Sequence, residues 1–144
     1  MWRIRDCTAD DFKQVAALLR QLWPGKPQDA ARLRAVYRLS LAAPHQRYVV
    51  AEEEGTIAGF CSLTVKNSLW QEGLLANVDE LVVEESRRGQ GIGRALLDHV
   101  TAIARERGCA RVELDSAFVR TEAHRFYEAL GFEKRAYLFS KPLV

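Results

Sequence analysis

The sequence has little of what several protein classes require. Its three cysteines, Cys7, Cys61 and Cys109, are odd in number, far apart and without a C-x-x-C pair, which argues against a disulfide framework or a zinc site. No apolar run approaches the roughly 18 residues of a membrane-spanning helix, and the N-terminus is charged where a signal peptide needs apolar residues. We therefore predict free thiols, no bound metal, no membrane contact and a cytoplasmic location.

The sequence also lacks a large excess of positive or negative residues. The 21 Lys and Arg residues against 19 Asp and Glu residues give a net charge of +2, far from the basic surplus expected of a nucleic-acid-binding protein. An anionic partner must therefore be bound by a local cluster of positive groups. The 144 residues, 48% of them hydrophobic, suffice for one core, and no linker or repeat divides them. We predict a single domain over residues 1–144.

The apolar pattern predicts strands and helices in a defined order. Helical spacing over residues 12–22 ends at two prolines and a glycine, and a second helix follows around residues 33–41, so this broken pair is a candidate lid. Strands are predicted at residues 2–5, 47–52, 56–66 and 74–83, with Glu53-Glu54-Gly55 as a hairpin turn. A helix over 91–107, a strand at 111–114, a helix over 121–130 and a strand at 132–140 complete the chain. The predicted fold is α/β with a mixed sheet, in the order β-α-α-β-β-β-α-β-α-β.

A glycine-rich loop precedes the third helix. It comprises Arg88, Gly89, Gln90, Gly91, Ile92, Gly93 and Arg94. Glycines let an anion approach the main chain, and the unpaired N–H groups and dipole of a helix start favour negative charge. The spacing matches neither a P-loop nor a dinucleotide fingerprint. We predict a phosphate site, with a tight turn and helix cap as the alternative.

Two motifs resemble the GNAT superfamily of N-acetyltransferases. Arg88, Gly91 and Gly93 fill the fixed positions of its [QR]-x-x-G-x-[GA] signature, and residues 123–132 match A-x-x-F-Y-x-x-x-G-F. The resemblance covers essentially the whole chain and implies the GNAT fold, with six or seven strands splayed at the centre of the sheet. It implies acetyl-CoA as cosubstrate, held by the main chain of Leu81, Val82, Val83, Arg88, Gly89, Gln90, Gly91, Ile92, Gly93 and Arg94.

The same resemblance assigns candidate catalytic residues. An alkylamine must lose a proton before it attacks a thioester, and Glu80 is our candidate base. Strand alternation predicts that its neighbour Asp79 points to the opposite face, although both could be ordinary strand carboxylates. Tyr127 occupies the position of the family's general acid, which protonates the departing thiolate, and its alternative is a packing role. None of the three cysteines lies in a family motif, which disfavours a covalent route.

Other positions bear on cofactor and acceptor. Arg120 stands where many relatives have the Asn that contacts the cofactor, so this sequence departs from the family pattern at that position. His124 is expected to pack or cap, and Arg125 to meet the cofactor's 3′-phosphate or solvent. The acceptor pocket is expected to draw on Trp23, Tyr37 and residues 68–70, although an exposed Trp could equally form a dimer contact.

The motif around residues 120–127 and the chain ending resemble the branch that contains aminoalkylphosphonate and some aminoglycoside N-acetyltransferases. We therefore predict acetyl transfer to the primary amine of a small molecule, by direct attack in a ternary complex. Protein or peptide acetylation and a non-catalytic acyl-CoA-binding module are the alternatives. The resemblance also favours a homodimer.

Overall fold

Strands and helices alternate along the chain, and a computed structural model describes all of residues 1–144. The strands are β1 (Arg3–Asp6), β2 (Gln46–Glu53), β3 (Thr56–Ser68), β4 (Gly73–Val83) and β5 (Val112–Glu113). The helices are α1 (Phe12–Leu22), α2 (Ala30–Ala42), α3 (Ile92–Glu106) and α4 (Thr121–Ala129), with short 3-10 turns at Ala9–Asp11 and Glu85–Arg87. None of these helices has the length and apolarity to cross a bilayer. The chain forms two compact units, Met1–Glu113 and Leu114–Val144.

The first unit contains a mixed sheet in the order β1-β2-β3-β4-β5. Strands β1 to β4 are antiparallel neighbours, and the turn between β2 and β3 has positive φ at Glu54 and Gly55, which suits a tight hairpin. β5 runs parallel to β4 and pairs with it only at Ala76 and Asn77. Beyond Asn77, β4 pairs with β3 alone.

The sheet has five strands, so the prediction of six or seven is wrong. The missing element is the last strand, predicted at residues 132–140. From Phe132 onward the backbone makes one backbone hydrogen bond, in which the Phe132 N–H donates to the Tyr127 carbonyl. A strand forms only where a neighbouring edge receives its N–H and C=O groups, and an apolar pattern cannot show whether such an edge exists.

Helices cover both faces of the sheet in the first unit. α1 and α2 pack on one face, where Phe12, Tyr37 and Phe60 join a buried apolar cluster. α3 packs on the other face over Gly59, whose missing side chain lets Ile92 and Leu96 approach the backbone of β3. A capping box of Thr8 and Asp11 begins the segment that leads into α1. The predicted layering of helices on a mixed sheet is confirmed for this unit.

The second unit contains α4 and a group of aromatic rings. The Tyr127 ring lies 5.4 Å from that of Phe126 and 5.8 Å from that of Phe132, measured between centroids. α4 ends as predicted before Gly131, which has a φ of 93°. The Leu130 and Phe132 N–H groups donate to the Tyr127 carbonyl, which fixes the backbone around this tyrosine.

Candidate active site

The glycine-rich loop is built to leave backbone donors free. Gly89 and Gly91 both have positive φ, 80° and 85°, a conformation that other residues adopt at a cost. Gly91 is the N-cap of α3, and the first helical hydrogen bond runs from the Ala95 N–H to the Gly91 carbonyl. The six N–H groups of residues 89–94 therefore precede the helical ladder, and they donate to no acceptor within the chain.

The loop is also open to a ligand. A side chain built on Gly89 or Gly91 would meet no atom within 4 Å, so nothing covers these two positions on that side. Free N–H groups at the start of a 15-residue helix attract an anion through both hydrogen bonds and the helix dipole. The donor set and the access fit a pyrophosphate.

The arginines around the loop contribute less free charge than the sequence indicates. The Arg87 guanidinium donates to Glu53 at 3.0 Å and to Gln90 Oε1 at 3.2 Å, and Arg94 lies 3.9 Å from Asp98. Arg88 Nε donates to the Val83 carbonyl at 3.2 Å. Arg88 therefore ties the loop to the end of β4, and main-chain donors supply most of the predicted anion site.

Strand β4 has a bulge at Asp79. Glu80 lies opposite Ser62 and Val78 opposite Leu63, so Asp79 is an extra residue with no partner in β3. The bulge breaks the alternation of side chains. Asp79 and Glu80 consequently bond to Thr64 and Ser62, two residues apart on one face of β3. The prediction that the two carboxylates point to opposite faces is wrong for this reason.

Hydroxyl groups hold both carboxylates. Ser62 Oγ donates to Glu80 Oε1 at 2.6 Å and accepts the Glu80 N–H at 2.9 Å. Asp79 accepts from the Thr64 hydroxyl and, at 2.7 Å, from Asn77 Nδ2. Ser62 is completely buried, so it fixes the orientation of Glu80. Ser62 and Thr64 were not predictable from the sequence, because only the strand register brings them to the carboxylates.

Glu80 lies in the wall of a cavity of about 160 Å³ between the sheet and the first two helices. Trp23 and Tyr37, which we expected near the acceptor, line it too, whereas residues 68–70 do not. The rest of the wall is formed by Phe12, Val15, Leu19, Leu33, Val36, Tyr48 and Phe60. One carboxylate among mainly apolar and aromatic side chains suits a small molecule that carries an amine.

Burial changes the titration of several groups near the cavity. It raises the pKa of Tyr37 above its usual range, and it raises the pKa of Tyr48, with the charge of Glu80 adding to the effect. It also raises the pKa of Cys7 to about 12 and the pKa of Cys61 further. These thiols stay protonated at neutral pH, which makes them poor nucleophiles.

Tyr127, the predicted acid, lies in the second unit within its aromatic group, and its side chain is half-buried. His124 Nε2 bonds to the Ala117 carbonyl at 2.9 Å, which agrees with the structural role predicted for it. Arg125 is exposed. Ser116, which no sequence motif marks, has a buried hydroxyl without a hydrogen-bond partner. A buried unpaired hydroxyl commonly marks a place where a ligand or water binds.

A bulged strand, a helix-start loop of free N–H groups and a cavity with one carboxylate are features that an acyltransferase with a nucleotide thioester as donor would use. Comparison with known proteins identifies the family to which the chain belongs. The sequence profile of the acetyltransferase (GNAT) family matches residues 12–132, so the chain belongs to this family. It is an N-acetyltransferase, and the family uses acetyl-CoA as acetyl donor.

The relatives include enzymes for small amines. An aminoalkylphosphonate N-acetyltransferase of Salmonella typhimurium is 31% identical over 140 residues, covering 97% of this chain and 90% of that protein. An aminoglycoside N(6')-acetyltransferase type 1 of Serratia marcescens is 28% identical over 131 residues, covering 88% of each. A solved structure, a transcriptional regulator from Bacillus halodurans C-125, shares the fold with a TM-score of 0.90 and 27% identity, covering 99% of this chain and 100% of that one.

Proposed function

We propose that the protein transfers the acetyl group of acetyl-CoA to the primary amine of a small molecule, by direct attack in a ternary complex within a single GNAT domain. The observation that carries the proposal is the position of Glu80, oriented by Ser62 in the wall of a small cavity. Curated relatives named for aminoalkylphosphonates and aminoglycosides support an amine acceptor. A cavity of about 160 Å³ suits a small acceptor better than a peptide.

Acetyl-CoA is proposed to bind along β4 and the glycine-rich loop. From Val78 to Val83, β4 pairs with β3 alone, so its other edge offers main-chain groups to the pantetheine arm, as an added strand would use them. The free N–H groups of residues 89–94 are proposed to receive the pyrophosphate. A backbone N–H near Val82 is our candidate for stabilising the oxyanion.

The reaction removes two protons from the substrate nitrogen and gives one to the sulfur. Glu80, directly or through water, takes the first proton from the ammonium group, and the neutral amine then attacks the thioester carbonyl. A C–N bond forms as the C–S bond breaks, and the nitrogen releases its second proton to solvent, from which the Tyr127 hydroxyl is restored. We propose that the Tyr127 hydroxyl gives its proton to the departing sulfur, because the pKa values of a phenol and an alkyl thiol are both about 9 to 10.

The test is release of free CoA thiol from acetyl-CoA by the purified protein with a panel of small amines and short peptides. We expect turnover with small amines, and a fall in kcat of about 10-fold or more in Tyr127→Phe. Tyr137→Phe removes the same hydroxyl from an exposed tyrosine and should behave as wild type. Turnover with peptides alone would contradict a small-molecule acceptor, and acetyl-CoA binding without turnover would support a non-catalytic module.

We further propose a cytoplasmic homodimer. At the tip of the β3–β4 hairpin, Leu69 is 97% and Trp70 72% exposed, and exposed large apolar side chains commonly mark protein contacts. Sedimentation equilibrium is expected to give about twice the monomer mass of 16.3 kDa. Trp70→Ser should shift the equilibrium toward the monomer if the tip takes part.

A further inference from the structure

The wall of the Glu80 cavity is almost entirely apolar. Of the ten side chains that form it, nine are aromatic or aliphatic, and the tenth is the carboxylate of Glu80. No Lys, Arg or His side chain is among them. A negatively charged group placed in this space would therefore meet a carboxylate and no cation, and it would lose its hydration without compensation.

The two tyrosines in the wall use their hydroxyl groups within the protein. The Tyr37 hydroxyl donates to the Thr8 carbonyl at 2.7 Å, and the Tyr48 hydroxyl bonds to the buried Ser40. The two residues therefore contribute their ring carbons to the cavity more than their hydrogen-bonding groups. A sugar or another polyhydroxylated acceptor would leave its hydroxyl groups without partners here, which costs free energy.

Four aromatic rings of the wall pack against one another in a row. Their centroids are 5.4, 5.7 and 5.3 Å apart in the order Phe12, Tyr37, Tyr48 and Phe60. Neighbouring rings hold one another in place, so the row is ordered before a ligand binds, and a preorganised site loses little conformational entropy on binding. Aromatic side chains pack favourably on a further ring, and ring faces attract an ammonium group.

The volume of the cavity limits the size of the group that it can enclose. An apolar cavity of about 150 Å³ in another protein binds one benzene molecule, and the Glu80 cavity has about 160 Å³. One aromatic ring therefore fits, whereas two fused rings would force the packed side chains apart.

We propose that the acceptor is a primary amine whose remaining part is apolar and no larger than one aromatic ring, and that the aromatic row encloses this part while the amine lies at Glu80. The inference rests on the proposed function and deepens it. Burial of the apolar part supplies the affinity, and the single carboxylate orients the amine. The acceptor class differs from the phosphonates and aminoglycosides for which the relatives are named.

The experiment compares by kcat/KM three amines that share a single-carbon linker: benzylamine, aminomethylphosphonate and 1-naphthylmethylamine. Wild type should prefer benzylamine over each of the other two by about 10-fold or more, because the phosphonate lacks a cation and the naphthyl group lacks room. Leu33→Ala enlarges the cavity and should raise the ratio of kcat/KM for 1-naphthylmethylamine to that for benzylamine by about 10-fold. The ratio is taken within one variant, so partial loss of folded protein does not affect it.

The matched control is Leu41→Ala, the same truncation at a half-buried position of α2 outside the cavity wall, which should leave the ratio unchanged. An equal rise in Leu41→Ala, a kcat/KM for aminomethylphosphonate or 1-naphthylmethylamine that equals that for benzylamine in wild type, or turnover of other amines without benzylamine would overturn the inference while leaving the acetyltransferase intact. If no amine is turned over, the proposed function fails. Calorimetry of the three amines with the CoA-loaded protein then decides the inference: tightest binding of benzylamine supports it, and tighter binding of either other amine or no binding overturns it.

Discussion

Asp11 is a buried carboxylate with a full set of partners. Arg5 donates to its two oxygens at 2.8 Å and 2.9 Å, and the Thr8 N–H donates at 2.7 Å. Arg5 also bonds to Glu52 at 3.0 Å. The Arg5 guanidinium lowers the pKa of Asp11, an effect that burial partly opposes. The group joins β1, β2 and the start of α1, and it makes local stability depend on pH.

We expect Asp11→Asn to lower the free energy of unfolding by about 2 kcal/mol at pH 7, because Arg5 loses a charged partner. A carboxyl whose folded pKa is lowered stabilises the protein above its unfolded pKa of about 3.9 and loses that contribution as pH falls through the folded pKa. The difference between wild type and variant should therefore shrink below about pH 4.

Urea denaturation at several pH values measures this difference. Asp10→Asn alters an exposed neighbour and should stay within about 0.5 kcal/mol of wild type. A difference that is constant from pH 7 to pH 3 would contradict the assigned ion pair.

Glu80 is expected to matter through proton removal. Glu80→Gln keeps the shape of the side chain and its contact with Ser62, but it cannot accept a proton. At pH 7 we expect kcat/KM to fall by about 100-fold, within the range of general base catalysis. As pH approaches the amine's pKa of about 10, the substrate is already neutral and the deficit should narrow.

The pH profile of kcat/KM for wild type and Glu80→Gln is the measurement. Asp79→Asn is the matched control, since Asp79 lies on the same face but outside the cavity wall. A deficit that persists at high pH would count against Glu80 as base and favour a role in binding.

At the scale of elements, the close contact between α3 and β3 supports the glycine-rich loop. A Cβ on Gly59 would lie 2.8 Å from Leu96 Cδ1, 3.1 Å from Ile92 Cγ2 and 3.3 Å from the Val82 carbonyl oxygen. Leu96 is fully buried and has no room to turn away. Ile92 begins α3, so a shift of this helix moves the N–H groups proposed to bind pyrophosphate.

Gly59→Ala should therefore lower the free energy of unfolding by about 1–3 kcal/mol and weaken acetyl-CoA binding. Denaturation and calorimetry measure the two effects. Gly73→Ala, at a position where the added carbon has room, should change the free energy of unfolding by less than about 0.5 kcal/mol and leave the affinity unchanged. Weakened stability with unaltered affinity would separate the helix packing from the loop.

Helices whose two ends are marked by specific residues were predictable from the sequence. α1 occupies the predicted residues because a capping box precedes it and Pro24 and Gly25 follow it. The bulge at Asp79 and the absence of the last strand were not predictable, since both depend on which backbone lies alongside. Pattern and resemblance pointed to Glu80 and the glycine-rich loop as candidates. The sequence pattern did not point to Ser62 and Thr64, because only the strand register places these residues beside the carboxylates.

At the scale of the whole molecule, ligand binding should increase the stability of the folded state. A ligand at 100 times its Kd adds about 2.7 kcal/mol to the folded state. For a chain of this size, acetyl-CoA should then raise Tm by roughly 8 °C. Thermal unfolding at increasing acetyl-CoA concentration measures the effect.

Pantetheine, which has no pyrophosphate, provides the control for the loop. At the same concentration it should raise Tm by less than about 2 °C, because the N–H groups of residues 89–94 gain no anion. Equal shifts with acetyl-CoA and pantetheine would show that the loop contributes little to affinity.

The extra residue in β4 also determines what a one-codon deletion in the gene would do to the strand. Loss of the single codon for Asp79 would leave Val78 and Glu80 adjacent and opposite Leu63 and Ser62, the partners that they already have. Such an in-frame deletion straightens the strand without exchanging the faces of the sheet, unlike a deletion in a regular strand. The deletion removes the contacts of Asp79 with Thr64 and Asn77 but keeps the rest of β4 in register, so it separates the contribution of the kinked backbone from that of Glu80.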